Sequence, residues 1–106
     1  MANIELKSLS ELEEYVSEGY AVIDCYGDFC AACVMLEPVF ESAAGDMPGI
    51  KFGRVNLSQS MEVAEKFGID AMPALLFFRD GVEVHRALGS MDRATLNEQF
   101  SVMLYQ

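Results

Sequence analysis

The segment AVIDCY, residues 21–26, restricts the possible folds of this chain more than any other stretch. Its residues are mostly β-branched or apolar, and Asp24 is the exception, a pattern typical of a strand that is covered on both faces. A turn at 27–29 follows, and then a helical pattern runs from Cys30 to about Gly45. A buried strand followed by a helix indicates an α/β architecture, in which helices cover both faces of a sheet.

The other segments continue this alternation of strands and helices. The pattern predicts further strands at 4–7, 50–57, 73–78 and 82–88, and helices at 10–18, at 60–67 and after Asp92. Ser10 followed by Glu13 fits a capping box at the start of the first helix, and Asp80-Gly81 predicts a hairpin between the last two strands. The order is βαβαβαββα, so the first three strands should be parallel and the last two antiparallel. We therefore expect a mixed sheet between layers of helices.

Size and charge limit the possible partners. The 106 residues fit a single domain spanning residues 1–106. The chain has 7 Lys and Arg against 17 Asp and Glu, a net charge of -10, so its negative potential would repel phosphate groups. We therefore expect no nucleic-acid partner and no membrane partner. No apolar run reaches membrane-spanning length and the first residues lack a leader pattern, which predicts a cytoplasmic location.

Cys30 and Cys33 place two thiols three positions apart, with only Ala31 and Ala32 between them. Three interpretations compete: half of a metal site, a structural pair, and a reversible redox couple. A structural zinc site needs about four ligands; no second paired motif occurs in the sequence, so no metal is expected. Three cysteines are too few for a disulfide framework in a chain of this size. The redox couple is the favoured interpretation.

The position of the pair at the start of a helix supports redox chemistry. Unpaired amide donors and the helix dipole at that end stabilise an anion, so the Cys30 thiolate should be favoured relative to a free thiol. Cys33 lies one turn further in, and the two sulfurs can form a disulfide with little backbone movement. Cys30 is therefore the expected attacking sulfur.

A set of residues at characteristic spacings runs through the chain: Asp24, Cys30-Ala31-Ala32-Cys33, Pro38, Met72-Pro73, Asp80-Gly81 and Gly89. Together they resemble the thioredoxin family, and the similarity spans nearly the full length. The resemblance implies the thioredoxin fold, in which a five-stranded mixed sheet of order 1-3-2-4-5 is flanked by four helices. It also implies a thiol-disulfide oxidoreductase that reduces protein disulfides through a reversible Cys30-Cys33 cycle.

The segment around the pair departs from the usual family sequence of Trp, Cys, Gly, Pro and Cys. Phe29 stands in place of the tryptophan, Ala31 and Ala32 replace the Gly-Pro pair, and Val34 replaces a lysine. Loss of the proline implies, by resemblance, a more oxidising couple.

Asp24 and Arg54 are expected to act behind the cysteine pair. Burial of a carboxylate is costly and raises its pKa toward neutrality. By resemblance, Asp24 deprotonates Cys33 when the mixed disulfide is resolved; the alternative is a structural aspartate with all its hydrogen bonds made. Arg54 occupies the position of a family lysine, where it would hold Asp24 ionised if it reaches the carboxylate. The alternative is an exposed arginine.

The surface around Cys30 is expected to bind substrates. By resemblance, the Met72-Pro73 peptide bond is cis and lies against the cysteine pair, and the Met72 backbone could pair with an extended target segment. The neighbouring residues are uncharged, which indicates docking of flexible protein segments; they are Phe29, Ala31, Ala32, Ala71, Met72 and Gly89.

The resemblance also implies the partners and the cellular role. Targets would be disulfide-containing proteins, and electrons would come from a separate flavin-dependent donor, a thioredoxin reductase or its equivalent. The redox-active disulfide would serve in place of a cofactor, in electron transport and redox homeostasis, and we expect a monomer. Two other function classes stay open: a redox-responsive protein-binding module, and a metal or cluster carrier that uses the cysteine pair.

Two further residues are expected to be structural. Cys25 alternates with Asp24, so it should face the other side of the sheet as a small buried apolar residue. His85 lies in a strand beside Glu83 and Arg86, and this polar alternation predicts a solvated strand face.

Overall fold

The computed structural model describes residues 3–105, in which strands and helices alternate as β1 (Asn3–Leu6), α1 (Leu9–Tyr15), β2 (Tyr20–Tyr26), α2 (Ala31–Asp46), β3 (Ile50–Asn56), α3 (Met61–Phe67), β4 (Ala74–Arg79), β5 (Val82–Leu88) and α4 (Arg93–Leu104). The predicted element order is confirmed. Within these residues, none of the helices has the length and apolar character needed to cross a bilayer.

The strands pair in the order β1-β3-β2-β4-β5. Strands β1 and β2 both run parallel to β3, whereas β4 is antiparallel to β2 and β5 is antiparallel to β4. The predicted mixed sheet and its strand order are confirmed. The register places Arg54 of β3 between Glu5 of β1 and Asp24 of β2. Three charged side chains therefore form one row across the sheet. The row lies near the end of β2 that leads to the cysteine pair.

Helices cover both faces of the sheet, and each face has its own buried cluster. One cluster joins β2 to α1 and α3 and includes Leu12, Ile23 and Val63. The other joins the sheet to α2 and α4 and centres on phenylalanines packed edge to face. Because side chains alternate along a strand, Cys25 belongs to the first cluster, on the face opposite Asp24. The predicted burial of Cys25 is confirmed.

The start and end of α1 differ from the prediction. The N-cap is Ser8: the Glu11 amide donates to Ser8 Oγ at 3.1 Å, and Glu11 Oε1 accepts a hydrogen bond at 2.9 Å from the amide of Lys7, the residue before the cap. The predicted pair of Ser10 and Glu13 is wrong. Both pairs have the required spacing, and the sequence alone does not distinguish them.

The end of α1 is set by contacts with a distant turn. The helix ends at Tyr15, short of the predicted end at residue 18, because the following backbone binds the hairpin between β4 and β5. The Gly81 amide donates to the Val16 carbonyl, and Gly19 and Asp80 exchange two further hydrogen bonds. Asp80 and Gly81 have φ values of 49° and 85°, as the predicted hairpin turn requires.

His85 does not lie on a solvated strand face. Its ring is half-buried, lies against Phe77 with ring centroids 5.2 Å apart, and contacts Gln99 of α4 at 2.7 Å. The prediction is wrong because α4 covers this part of β5. The start of α4 agrees with the sequence, since Asp92 Oδ1 accepts a hydrogen bond from the Thr95 amide at 2.8 Å.

Candidate functional site

Cys30 and Cys33 form a disulfide at the start of α2, with their Cα atoms 5.2 Å apart. Cys30 is the N-cap residue of the helix, and its Sγ accepts a hydrogen bond from the Cys33 amide at 3.1 Å. Cys30 is half-buried, whereas Cys33 is only 2% exposed. A partner can therefore reach the Cys30 sulfur more readily, and a backbone donor already points at it. That donor would also stabilise a Cys30 thiolate.

Asp24 lies in the middle of the sheet and is fully buried. Its Oδ2 accepts a hydrogen bond from Arg54 Nε at 3.2 Å, while Oδ1 has no hydrogen-bond partner among the described residues. Burial raises the pKa of Asp24 to about 6, and the attraction of Arg54 opposes that rise without cancelling it. The expected burial of this carboxylate is confirmed. Asp24 can therefore exchange a proton near neutral pH.

Arg54 points inward, so of the two alternatives the pairing with Asp24 is the one observed. Its side chain is 15% exposed and also lies 3.5 Å from a carboxylate oxygen of Glu37, a residue of α2. The guanidinium carbon stands 4.0 Å from the centre of the Tyr26 ring. The Tyr26 hydroxyl in turn donates to Glu5 at 2.7 Å. One positive charge is thus shared among several groups behind the disulfide.

The Met72-Pro73 segment lies against the cysteine pair, as the sequence predicts, and its peptide bond is cis. The Met72 carbonyl oxygen is 4.0 Å from Cys30 Sγ. The Pro73 carbonyl accepts a hydrogen bond from the Gly89 amide at 2.8 Å, which ties the end of β5 to this segment. The thioether of Met72 packs on Gly27, where a Cβ atom would lie 2.5 Å from the sulfur. The Met72-Pro73 segment therefore meets the cysteine pair at Cys30, and the end of β5 is attached to that segment.

The residues predicted to bind substrates differ in exposure, and Pro73 is buried. Phe29 is fully exposed, and Ala31, Ala71 and Met72 are also exposed, while Ala32 and Gly89 are half-buried. Phe29 has a φ of 54°, a left-handed conformation that is uncommon for a residue with a large side chain. This exposed ring projects beside the sulfur that a target would meet.

Sequence reasoning missed several residues of the site. Val34 was noted only as the replacement of a lysine, and Met35 was not named. Both follow the pair in α2 and are 67% and 68% exposed, so they extend the apolar surface. Tyr26 and Glu37 contact Arg54. A signal for Tyr26 existed, because a residue two positions after Asp24 in a strand lies on the same face. Glu37, one turn after Cys33, could likewise have been placed on the side of α2 that faces the pair.

A cavity of about 560 Å³ opens beside the disulfide and is lined by both cysteines, Phe29, Tyr26, Glu37 and Arg54, among other residues. Within residues 3–105 there is no cluster of three or more side chains suited to holding a metal ion. Burial raises the pKa of the Cys25 thiol, and this residue belongs to the opposite face of the sheet. The chemistry that the site can carry out is exchange between the Cys30-Cys33 disulfide and an external thiol or disulfide.

A disulfide at a helix start, with the accessible sulfur outermost and a buried carboxylate behind it, defines a protein of the thiol-disulfide oxidoreductase class. A family model described as Thioredoxin matches residues 4–101 of the chain. The chain therefore belongs to the thioredoxin family. It is a protein-disulfide oxidoreductase.

Similar proteins support this assignment over most of the chain. A thioredoxin of Chlamydia caviae is 31% identical over 93 residues, covering 88% of this chain and 91% of the relative. A thioredoxin of Mycoplasma pneumoniae is 32% identical over 93 residues, with coverage of 87% and 91%.

Solved structures show the same fold. A Malassezia sympodialis thioredoxin superposes with a TM-score of 0.80 at 27% identity, covering 95% of this chain and 88% of the other. A Plasmodium falciparum thioredoxin reaches a TM-score of 0.85 at 22% identity, with coverage of 96% and 98%, and supports the fold alone. The predicted thioredoxin fold is confirmed.

Proposed function

We propose that this protein works as a reductant of protein disulfides, with Cys30 as the attacking residue and Cys33 as the resolving residue. The Cys30 thiolate attacks one sulfur of a target disulfide, the target bond breaks, and the released target thiolate takes up a proton. The Cys33 thiolate then attacks Cys30 Sγ, forms the bond seen in the structure and releases the second target thiolate. Two electrons pass from the cysteine pair to the target. The observation that carries this proposal is the half-buried Cys30 sulfur placed outside the buried Cys33.

Asp24 is the proposed proton acceptor for Cys33. A group with a pKa of about 6 is mostly ionised at neutral pH and can take a proton from a thiol without a large energetic barrier. Its Oδ1 is free of hydrogen bonds among the described residues, so an acceptor site is available. Arg54 is proposed to support this role by balancing the charge of Asp24 before the proton arrives.

Target binding is proposed to use the apolar surface and the Met72 carbonyl. An extended target segment can hydrogen-bond to that carbonyl, which lies next to Cys30. Phe29, Ala31, Ala32, Met72, Pro73 and Gly89 are the proposed contact residues. An apolar site on a chain with a net charge of -10 favours uncharged or basic flexible segments over acidic ones.

The proposal also covers the location, the oligomeric state and the electron donor of the protein. We propose a cytoplasmic monomer, consisting of a single domain over residues 1–106, that needs no cofactor beyond its own disulfide. Its electrons would come from a separate thioredoxin reductase or an equivalent donor. Family membership supports a donor of this kind, and the absence of any bilayer-spanning helix in residues 3–105 is compatible with this location.

The decisive experiment is to trap the mixed disulfide with a target. Cys33→Ser should retain target proteins on Cys30 as complexes released by dithiothreitol, because the resolving sulfur is missing. Cys30→Ser is the matched control and should retain few, since Cys33 is buried. Equal trapping by both variants would refute the assignment of the attacking residue.

A second measurement separates catalysis from docking alone. The reduced protein should reduce insulin over many turnovers when dithiothreitol regenerates it, and Asp24→Asn should slow release of the target from the mixed disulfide at neutral pH. A single turnover of insulin reduction, with no recycling of the protein by a reductase, would instead favour a redox-responsive binding module. An unchanged release rate in Asp24→Asn would remove the proposed role of Asp24 but leave the roles of both cysteines intact.

A further inference from the structure

Arg54 lies in a cluster that crosses three strands and reaches onto α2. Its strand neighbours in register are Glu5 on β1 and Asp24 on β2. Tyr26, two residues after Asp24, projects from the same face of β2, and its ring lies 4.0 Å from the guanidinium carbon. Glu37 approaches from α2. Arg54 therefore contacts an aromatic ring and two carboxylates, and the strand beside it carries a third, Glu5.

Asp24 and Glu37 attract the guanidinium in different directions. Arg54 Nε is 3.2 Å from Asp24 Oδ2, inside the sheet, and a terminal nitrogen is 3.5 Å from Glu37 Oε2, whose side chain is 52% exposed. An arginine side chain has many rotamers, so these two contacts alone would not fix its position. A ring stacked against the planar guanidinium restricts it, through cation-π attraction and through shape.

The Tyr26 ring is itself held in place. Its hydroxyl donates to Glu5 Oε2 at 2.7 Å, and this bond spans from β2 to β1 across the strand that carries Arg54. Burial, together with the hydrogen bond to Glu5, raises the pKa of Tyr26 to about 12, so the hydroxyl remains a donor throughout the neutral range. The Tyr26 ring is thus held in one position against one side of the guanidinium.

We propose that Tyr26 is a positioning residue whose ring holds the Arg54 guanidinium against Asp24 and prevents it from turning fully toward Glu37 and solvent, and that it thereby controls how readily Asp24 takes up a proton. The inference rests on the proposed role of Asp24 as the proton acceptor. Tyr26 would act only through Arg54, without itself exchanging a proton with the cysteines.

The charged groups that face Asp24 explain why the position of Arg54 matters. Among the described residues, Arg54 of β3 is the positive group that acts on Asp24, while Glu37 of α2 and Glu5 of β1 are negative. The residue paired with Asp24 on β4 is the apolar Leu75. If the guanidinium turned toward Glu37 and solvent, Asp24 would keep its burial and its two negative neighbours without a close counter-charge. Its affinity for a proton would then rise.

The test is a titration of the Asp24 carboxyl carbon by nuclear magnetic resonance in the oxidised protein. Tyr26→Leu removes the ring, and Tyr26→Phe is the matched control that keeps the ring and loses only the bond to Glu5. We expect Tyr26→Leu to raise the titration midpoint of Asp24 by about one pH unit, a tenfold gain in proton affinity. Tyr26→Phe should give less than half of that rise. Tyr26→Met provides a second ring-free variant if Tyr26→Leu folds poorly.

Tyr26→Leu in an Arg54→Gln background tests whether the ring acts on Asp24 through Arg54. There the loss of the ring should no longer raise the midpoint, because no guanidinium remains to be positioned, and water entering the site would lower it. An equal rise with and without Arg54, or no rise in either ring-free variant, would overturn the inference.

Failure of this inference is distinguishable from failure of the proposed function. The pH profile of target release from the mixed disulfide reports on Asp24, whereas the midpoint reports on its surroundings. If Asp24→Asn leaves that profile unchanged, Asp24 is not the proton acceptor, even if the ring still shifts its midpoint. If Asp24→Asn flattens the profile and Tyr26→Leu does not move the midpoint, only the role of Tyr26 is refuted.

Discussion

The buried Asp24 carboxylate should make the folded protein less stable as the pH rises from about 4 to about 7. The pKa of Asp24 increases from its ordinary value of 3.8 to about 6 on folding, with burial as the main cause. The folded chain therefore binds this proton more tightly than the unfolded chain does. Each unit of difference corresponds to about 1.4 kcal/mol, so ionised Asp24 costs the folded state about 3 kcal/mol.

The pH range of this cost follows from the two values. Well below 3.8 the carboxyl group is protonated in both states, and the cost is absent. It increases between 3.8 and about 6, and it is complete above that range. Asp24→Asn removes the titrating group with little change of shape. The variant should therefore gain stability relative to the natural protein as the pH rises, by up to about 3 kcal/mol at pH 7.

Urea unfolding of the oxidised proteins at several values between pH 4 and pH 8 measures this difference. The chain has no tryptophan, so circular dichroism is the suitable signal. Other carboxylates titrate equally in both proteins and cancel in the difference. Asp24→Ala is the control: its offset should differ because of packing, but its dependence on pH should match that of Asp24→Asn.

Two results would refute this reasoning. A stability difference that does not change between pH 4 and pH 7 would mean that folding leaves the proton affinity of Asp24 unaltered. A difference of opposite slope would mean that the ion pair with Arg54 outweighs burial and lowers the pKa. The experiment thus decides directly between burial and pairing, the two opposing effects at this carboxylate.

Three further predictions use single substitutions. Glu37→Gln removes a negative neighbour that raises the pKa of Asp24, so the midpoint of the carboxyl carbon titration should fall below about 6; a rise would contradict this. Phe29 has a φ of 54°, so Phe29→Gly should remove backbone strain and stabilise the fold by about 1 kcal/mol in urea unfolding. The same variant should reduce insulin more slowly, with less effect on the reduction of a small disulfide. Equal slowing of both reactions would exclude a docking role for Phe29. Gly53→Ala would place a Cβ 3.0 Å from neighbouring side chains and should lower the free energy of unfolding by about 1 to 3 kcal/mol. Gly45 has open space around it, so Gly45→Ala should raise the free energy of unfolding by about 0.5 to 1 kcal/mol. Urea unfolding measures both changes, and the reverse order of stability would contradict the packing argument.

Much of the fold was predictable because its signals are local. The apolar segment at 21–26 indicated a central strand through its composition alone, and β2 is buried along nearly its whole length. Asp80-Gly81 indicated a hairpin because both residues tolerate the left-handed conformations that the turn requires. Asp92 indicated the start of α4 through its capping side chain. Each of these features depends on a few consecutive residues.

The errors arose where distant segments decide the outcome. The backbone after α1 leaves the helix to bind the hairpin at Asp80 and Gly81, a contact across more than sixty positions that no local pattern contains. His85 is covered by α4, although its own strand has an alternating polar sequence. Helical propensity and strand alternation describe neighbours along the chain, and neither reports which element packs on top.

The candidate site shows the same division between what is local and what is not. The cysteine pair and the buried Asp24 could be proposed from short stretches of sequence, whereas the contact between Asp24 and Arg54 depends on the parallel register of β2 and β3. The guanidinium also contacts Glu37, which α2 brings to it from outside the sheet. Burial raises the pKa of Asp24 more than the attraction of Arg54 lowers it, and the negative charges of Glu37 and Glu5 add to the rise, so the pKa of Asp24 lies near 6. A carboxyl group with a pKa of about 6 takes up and releases a proton near neutral pH, as the role proposed for Asp24 requires.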